Sequence, residues 1–208
     1  MAALKFFFGT MGSGKATLAL QIHHNLARRG LAGALFTQLD RSGGVVSSRL
    51  GVEADAQMVE PGVDLRARIE AMAPLDFVVC DEAQFYEPDQ VDQLARVVDE
   101  LGVDVYAFGL LTSFQGRLFP GTARLLELAD ERQELHVEAR CWCGNRATHN
   151  ARLVDGAQVY DGALKVVGDT VDQSDAEPDQ AAFDIETEPV VTYELLCRRH
   201  WTRGEATP

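Results

Sequence analysis

Short apolar runs alternate with amphipathic stretches through the first two thirds of the chain. Apolar strands that lack polar alternation and are joined by helices are typical of a parallel sheet covered on both faces. The pattern predicts strands at Leu4–Phe8, Ala32–Thr37, Leu75–Asp81 and Val103–Gly109, and helices at Ala16–Arg29, Asp64–Met72 and Pro88–Leu101. We therefore expect an α/β fold in which helices cover both faces of a parallel sheet.

The sequence pattern changes after Ala129. A further strand is predicted at Glu134–Ala139, and from Cys141 onward the chain has short β-like runs, turns and a polar stretch. This change divides the chain into an α/β domain of residues 1–133 and a smaller subdomain of residues 134–208 without a helix-rich core.

The composition limits the classes of function. The chain has 208 residues, of which 46% are hydrophobic, and this suffices to bury one good core. Its formal net charge of −13 argues against an extended nucleic-acid surface, which needs a basic patch to neutralise phosphates. The apolar run before Gly9 is short for a secretory signal, and no stretch approaches the ~18 apolar residues of a membrane span. We expect a cytoplasmic protein that binds neither nucleic acid nor a membrane.

Acidic residues concentrate between Asp169 and Pro189, where Lys and Arg are absent. Such a composition is typical of a solvated loop. A regulatory or partner-binding segment is the alternative interpretation.

The run from Gly9 to Lys15 fits the pattern G-x-x-x-x-G-K between a predicted strand and a predicted helix. Glycines let successive backbone N–H groups point at phosphates, at the start of a helix whose dipole favours anions, and Lys15 would reach the β- and γ-phosphates. The next residue is normally a Ser or Thr whose hydroxyl binds Mg²⁺, but here it is Ala16. Thr17 lies about 100° further around the helix, so either water fills that metal position or metal binding is impaired.

Two carboxylates, Asp81 and Glu82, follow the apolar run LDFVVC. Ligands of open α/β sheets bind beyond the carboxyl ends of the strands, so this pair and the glycine-rich loop are expected to form one site. An acid at this place in a P-loop fold holds Mg²⁺ directly or through water. The second carboxylate either accepts a proton from an attacking hydroxyl or caps the following turn, and the residues alone leave both roles open.

Three cysteines and one histidine have the spacing of metal ligands, Cys141-x-Cys143 and Cys197-x-x-His200. Three thiolates and an imidazole suit a closed, tetrahedral, structural Zn²⁺ site, and clustered cysteines in a reducing compartment favour metal over disulfide. Trp142 and Trp201 lie beside the ligands and are expected to shield the metal. The alternative is that Cys141 and Cys143 are ordinary buried thiols.

These motifs occur in a definite order together with further runs. GTMGSGK, DEAQF, TSFQGRLFPG, CWCGNRATHNAR and the final YELLCRRH cover the chain from about Phe6 to His200. In this order they resemble the zinc-containing thymidine kinases, the type II or cytosolic-type family. The resemblance implies a P-loop, RecA-like fold in which residues 1–133 bind nucleotide and residues 134–208 form a zinc-bound lasso subdomain.

The resemblance also implies the residues of each site. Asp81 matches the family's magnesium-associated aspartate, and Glu82 matches the catalytic base that takes the proton of the nucleoside 5′-hydroxyl. The implied ATP-binding residues are Gly9, Thr10, Met11, Gly12, Ser13, Gly14, Lys15, Ala16, Thr17, Asp81 and Gln84. The implied substrate-binding residues are Phe85, Phe114, Phe119, Asn150, Val166 and Tyr193. The implied zinc ligands are Cys141, Cys143, Cys197 and His200.

By the same resemblance, the activity is transfer of the ATP γ-phosphate to thymidine or deoxyuridine in nucleotide salvage. Mg²⁺ would accompany ATP, and Zn²⁺ would be structural. The lasso loop, which lies between the two zinc half-sites, would close over the base and bind it largely through main-chain groups. A homotetramer and feedback inhibition by thymidine triphosphate are implied as well.

Some positions depart from the family pattern. Leu39 stands where the acid of an Asp-x-Arg run is expected, Leu111 stands where the family often has an acid, and the acidic stretch looks like an insertion. Together with Ala16, these departures leave a catalytically impaired nucleotide-binding protein as the alternative to an active kinase. A P-loop ATPase motor with a zinc-ribbon nucleic-acid module is a further alternative, which the acidic net charge disfavours.

Overall fold

The computed structural model describes residues 1–38, 45–47, 53–135, 138–164 and 189–208. The strands, in chain order, are β1 Leu4–Gly9, β2 Gly33–Thr37, β3 Val45–Ser47, β4 Glu53–Asp55, β5 Gln57–Met58, β6 Phe77–Cys80, β7 Asp104–Leu110, β8 Glu131–Glu134, β9 His149–Val154, β10 Ala157–Val159 and β11 Val191–Leu196. The helices are α1 Lys15–Ala27, α2 Leu65–Ala71, α3 Pro88–Arg96, α4 Pro120–Leu128 and α5 Arg198–Arg203, with a 3₁₀ turn at Ala83–Phe85 and a π-helical turn at Val97–Leu101. The predictions for Leu39 and Val166, and the acidic stretch through residue 188, lie outside the described residues.

The larger sheet has the strand order β5-β2-β6-β7-β1-β8, and all of its paired strands are parallel. The strands predicted from apolar runs form its centre, which confirms the predicted α/β class. In register, Phe36 pairs with Cys80, Cys80 with Ala107, and Phe8 with Gly109. The carboxyl ends of β2, β6, β7 and β1 therefore lie along one edge.

Each face of this sheet is covered by its own hydrophobic cluster. On the face that we call the α1 face, Leu20 of α1 packs in one cluster with Leu35. On the opposite face, the α3–α4 face, Leu94 of α3 and Leu125 of α4 share a cluster with Phe36. Because both faces are buried, the central strands have no polar alternation, which is the pattern seen in the sequence.

Two elements differ from the predictions. The strand expected at Glu134–Ala139 shares only Glu134 with the described strand Glu131–Glu134, and residues 136–137 of the prediction lie outside the described residues. All side chains of the described strand are exposed, so no apolar run signals it. Its backbone pairs with Lys5–Phe8 at the edge of the sheet. Helix α4 was not predicted; Pro120 is a favourable first helical residue because its φ is fixed and its missing N–H is not needed there.

The smaller sheet is antiparallel, with the strand order β10-β9-β11. Helix α5 packs against it, and Cys141, Ala151, Leu196 and Cys197 form a small buried cluster there. Strands β3 and β4 form a separate antiparallel pair. Within the described parts of the chain, no helix is long and apolar enough to cross a membrane.

Candidate functional site

The glycine-rich loop between β1 and α1 is shaped for a phosphate group. Gly12 and Gly14 have φ of 69° and 78°, in the left-handed region that glycine adopts without strain, and Gly14 caps the first turn of α1. A Cβ on Gly9 would lie 2.6 Å from the Oγ of the buried Ser13. The loop is therefore closely wound at the amino end of a helix, where backbone N–H groups and the helix dipole favour an anion.

Lys15 lies inside the curve of this loop. Its ammonium group donates to the carbonyl oxygen of Thr10 at 2.7 Å and to Oγ of Ser13 at 3.3 Å. The cation is thus held close to the loop that would surround a triphosphate.

Asp81 and Glu82 follow β6 at the same edge of the sheet. The backbone N–H of Asp81 donates to the carbonyl of Phe36 at 2.8 Å, which continues the β2–β6 ladder, and its side chain is 6% exposed. Burial, and then the negative charge of Glu82, raise the pKa of Asp81 to about 7, while the charge of Lys15 acts in the opposite direction. Because β1 and β6 both run parallel to β7, the phosphate loop and these carboxylates lie at the same edge of the sheet.

Glu82 stands in a strained backbone conformation. Its φ is 51°, in the left-handed region that non-glycine residues seldom adopt, and it begins the 3₁₀ turn Ala83–Phe85. Its side chain makes no capping hydrogen bond to that turn, so the capping role considered from the sequence is not found. Its carboxylate instead accepts a hydrogen bond from the side chain of Gln84.

Gln84 connects this carboxylate to the neighbouring strand. Its side-chain nitrogen donates to Oε2 of Glu82 at 2.5 Å, and its side-chain oxygen accepts from the N–H of Leu110 at 3.0 Å. Gln84 itself is 1% exposed, whereas Glu82 is half-buried, so the bridge joins a buried amide to a carboxylate that solvent still reaches. The family resemblance implied that Gln84 binds ATP. The hydrogen bond shows in addition that Gln84 orients the carboxylate of Glu82.

Gly121, in the first turn of α4, lets that helix approach the 3₁₀ turn closely. A Cβ there would lie 2.5 Å from the carbonyl oxygen of Tyr86, 2.7 Å from that of Ala83 and 2.9 Å from that of Gln84. All of these atoms belong to the backbone, which cannot move aside as a flexible side chain can.

Gly121→Ala is therefore expected to displace the turn that carries Glu82 and Gln84. We expect a loss of about 1–3 kcal/mol of folding stability and, because a misplacement of about 1 Å in a catalytic group can cost a hundredfold in rate, a fall in kcat. Thermal unfolding and steady-state kinetics measure the two effects. Ala123→Ser on the same helix is the control, and equal kinetics for both variants would contradict this role of Gly121.

The aromatic side chains predicted to bind the nucleoside contact one another or Arg152. The rings of Phe85 and Phe119 meet edge to face with centroids 5.3 Å apart. The guanidinium carbon of Arg152 lies 4.2 Å from the ring centroid of Phe114, and its Nε donates to the hydroxyl of Tyr193 at 2.8 Å. The predicted aromatic residues thus form two groups, and the second is organised by Arg152, which sequence reasoning missed.

Asn150 joins the smaller sheet to the phosphate loop. Its Oδ1 accepts from the backbone N–H of Met11 at 2.9 Å, and its Nδ2 donates to the carbonyl of Thr112 at 3.4 Å. The side chain is 3% exposed. It was predicted to approach a base, and in this structure it bonds to main-chain groups of the protein.

The four predicted metal ligands come together although more than 50 residues separate the two pairs. The ligand atoms of Cys141, Cys143, Cys197 and His200 all lie within 4.8 Å of one another. Nδ1 of His200 is 3.2 Å from Sγ of Cys141 and 3.6 Å from Sγ of Cys197, and Sγ of Cys143 is 3.9 Å from Sγ of Cys197. Zn–S bonds of about 2.3 Å in a tetrahedron place ligand sulfurs roughly 3.8 Å apart, so the cluster fits zinc.

The surroundings of His200 orient its ring. Its Nε2 lies 3.6 Å from a carboxylate oxygen of Glu205, which leaves Nδ1 to face the thiols. The indole of Trp142 stacks on the imidazole with centroids 4.1 Å apart and planes 8° from parallel. Trp142 therefore covers the cluster, as the sequence predicted.

Comparisons with known proteins find a family model and curated relatives that match this chain. A family model described as thymidine kinase matches residues 2–173. A thymidine kinase of Streptomyces coelicolor is 55% identical over 208 residues, covering 98% of this chain and 90% of that protein. A thymidine kinase of Cutibacterium acnes is 44% identical over 209 residues with the same coverage of each chain.

Among solved structures, the crystal structure of Bacteroides Pif1 bound to ssDNA matches with a TM-score of 0.39 and 19% identity. It covers 64% of this chain and 38% of that chain. A similarity this weak carries no argument about function.

Proposed function

The chain belongs to the thymidine kinase family, and from this premise we propose that it transfers the γ-phosphate of ATP to the 5′-hydroxyl of thymidine. The observation that carries the proposal is the sheet register, in which β1 and β6 both run parallel to β7, so that the phosphate loop with Lys15 and the Asp81–Glu82 pair follow strands that end at one edge of the sheet. A phosphate cradle and a carboxylate base at one edge are what phosphoryl transfer to a hydroxyl requires.

The triphosphate would lie in the glycine-rich loop, where backbone N–H groups and Lys15 hold its β- and γ-phosphates. Asp81 offers a buried carboxylate suited to magnesium, whereas Ala16 offers no oxygen, so the donor set fits the metal through Asp81 and water. Magnesium, when bound with ATP, offsets the charge that develops on the transferred phosphoryl group.

Glu82 would take the proton of the 5′-hydroxyl as that oxygen bonds to the γ-phosphorus and the bond to the β-phosphate oxygen breaks. Gln84 occupies Oε2 of Glu82, which leaves Oε1 to face the hydroxyl. Most of the acceleration in this chemistry comes from positioning and electrostatics, so a base held in place by the hydrogen bond from Gln84 is suited to it.

The nucleoside would lie beside Glu82, between the pair Phe85 and Phe119 and the group of Phe114, Arg152 and Tyr193. Aromatic rings offer flat surfaces on which a base stacks. Asn150 and Val166 are the remaining residues that we propose bind the nucleoside. Main-chain recognition of the base favours acceptance of deoxyuridine along with thymidine.

The cysteine and histidine cluster could hold zinc, and we propose that zinc is structural there. All four ligand positions are filled by the protein, which leaves no open position for catalysis. The metal would join the two ends of the lasso in residues 134–208, while residues 1–133 bind ATP. A cytoplasmic homotetramer with feedback inhibition by thymidine triphosphate remains our proposal from the family resemblance.

Radiolabelled ATP, thymidine and magnesium provide the test of the activity. We expect labelled thymidine monophosphate from the wild-type chain, and no stimulation of ATP hydrolysis by DNA. Ala16→Ser restores the hydroxyl that a P-loop normally offers the metal, so the magnesium concentration for half-maximal rate should fall by about tenfold. Gln21→Ser is the control, because Gln21 is exposed on α1 outside the ATP-binding set and should leave the magnesium dependence unchanged.

The same assay decides the alternative that Ala16 favours, a nucleotide-binding protein with impaired catalysis. Product from Ala16→Ser but not from the wild-type chain would support that alternative. An absence of product from both chains would contradict the proposed kinase activity.

A further inference from the structure

Trp201 follows the metal ligand His200 on α5, and its side chain joins that helix to the segment after β7. The indole Nε1 donates to the carbonyl oxygen of Phe114 at 3.2 Å. The side chain also packs against the small buried cluster that includes Cys141 and Cys197, as its place beside the ligands predicted. One side chain therefore contacts both the surroundings of the metal ligands and the backbone of a residue expected to bind the nucleoside.

Residues 113–116, which we call the 113–116 turn, are shaped to accept this indole. The N–H of Gly116 donates to the carbonyl of Ser113 at 2.9 Å, and the φ of Gly116 is 72°, in the left-handed region. A Cβ on Gly116 would overlap Cη2 of Trp201 and lie 2.8 Å from its Cζ2. Both the backbone conformation and the close approach of the indole thus require glycine at this position.

Further contacts hold Trp201 in one orientation. Its ring centroid lies 4.9 Å from that of His149 and 5.2 Å from that of Tyr160. Its backbone carbonyl accepts from Nε2 of Gln158 at 3.0 Å and from the hydroxyl of Tyr160 at 2.5 Å. His149 belongs to β9 and Gln158 to β10, so the smaller sheet fixes the indole against which the turn rests.

Phe114, within this turn, is held through both its backbone and its ring. Trp201 binds its carbonyl, the guanidinium carbon of Arg152 lies 4.2 Å from its ring centroid, and its side chain is 4% exposed. The next residue makes another link, since Nε2 of Gln115 donates to the carbonyl of Gly162 at 3.1 Å. The position of the Phe114 ring therefore depends on contacts with the smaller subdomain.

We propose that Trp201 is a positioning residue for nucleoside binding, whose indole holds the 113–116 turn so that the ring of Phe114 is already in place when the base arrives. This inference rests on the proposed kinase function, in which Phe114 binds the nucleoside. Ordering a side chain on binding lowers affinity, and a ring that is fixed beforehand avoids that loss. Trp201 acts through Phe114, so its contribution should affect the nucleoside and not the triphosphate.

A double-mutant cycle tests the contact. Trp201→Phe removes the indole N–H and shortens the side chain, whereas Gly116→Ala forces the indole away from the turn. We expect each variant to raise the Kd of thymidine about tenfold in calorimetric titration and to change the Kd of ATP by less than about twofold. The double variant should also remain near tenfold, not about a hundredfold, because both substitutions break the same contact.

Zinc content and a neutral variant provide the controls. Elemental analysis should find about one zinc ion per chain in all three variants, since the four ligands are retained. Thr202→Ala removes an exposed hydroxyl of the same helix that donates to the carbonyl of Arg198. This control should keep the wild-type affinity for thymidine, so that the loss in Trp201→Phe is specific to the indole.

Several results would overturn the proposal: an unchanged thymidine Kd in Trp201→Phe, equal weakening of thymidine and ATP, loss of zinc, or additive losses in the double variant. If Trp201→Phe is poorly folded, Gly116→Ala breaks the contact from the other side without altering α5 and should give the same selective loss. The affinities are measured without turnover, and formation of thymidine monophosphate by the wild-type chain is measured separately. Failure of the contact is thereby distinguishable from failure of the kinase function.

Discussion

Glu82→Gln is expected to lower kcat by about 10²–10⁴-fold while leaving the affinity for ATP unchanged. The amide has the size and shape of the carboxylate and can still accept the hydrogen bond from Gln84, but it cannot take the proton of the attacking hydroxyl. The phosphate loop and Lys15 are untouched, so the binding of the triphosphate should remain. Steady-state kinetics and calorimetric titration with ATP measure the two quantities.

Glu127→Gln is the control for this variant, because it changes an exposed carboxylate of α4 that pairs with Arg124. It should keep the kcat of the wild type. An unchanged kcat in Glu82→Gln would rule out the assignment of Glu82 as the base. A loss of ATP affinity as large as the loss of kcat would move its role from proton transfer to triphosphate binding.

Cys197→Ser is expected to release the metal and to loosen the smaller sheet. Cys197 stands directly between β11 and α5, so the loss of its thiolate frees both elements from the pair Cys141 and Cys143. Zinc content should fall from about one ion per chain to near zero, and thymidine affinity should fall by about 10–100-fold as the covering of the nucleoside is lost. Elemental analysis and calorimetric titration provide the measurements.

Cys80→Ala is the control, since Cys80 is fully buried in the larger sheet and lies outside the metal cluster. This variant should retain zinc and thymidine binding, although the smaller side chain leaves the core of the larger sheet less well packed. Retention of stoichiometric zinc by Cys197→Ser would show that Cys197 is not a ligand.

The sequence predicted that the central strands are parallel and buried on both faces, but it did not predict their order in the sheet. Leu4–Phe8 and Leu75–Asp81 are apolar without alternation, and this pattern follows from burial on both faces, so parallel strands were predictable. The motifs after them were predictable as one site because carboxyl ends of parallel strands share an edge. The spacing of Cys197 and His200 indicated a metal half-site, because two neighbouring side chains can bind one metal ion only when a few residues separate them.

Other features depend on contacts that sequence periodicity does not encode. Strand β8 is exposed along its length, so only pairing with β1 defines it. The bridge from Glu82 through Gln84 to Leu110 depends on where β7 ends in space, and the stacking of Arg152 depends on the meeting of the two sheets. A lone glutamine or arginine in a sequence gives no sign of such a contact.

The hydrogen bond from the N–H of Met11 to Asn150 ties the main chain of the phosphate loop to a strand of the smaller sheet. A triphosphate that repositions the loop therefore also repositions that strand. By thermodynamic reciprocity, any factor by which the triphosphate changes nucleoside affinity is also the factor by which the nucleoside changes triphosphate affinity. Titration of each ligand in the presence and absence of the other should therefore give the same ratio of dissociation constants.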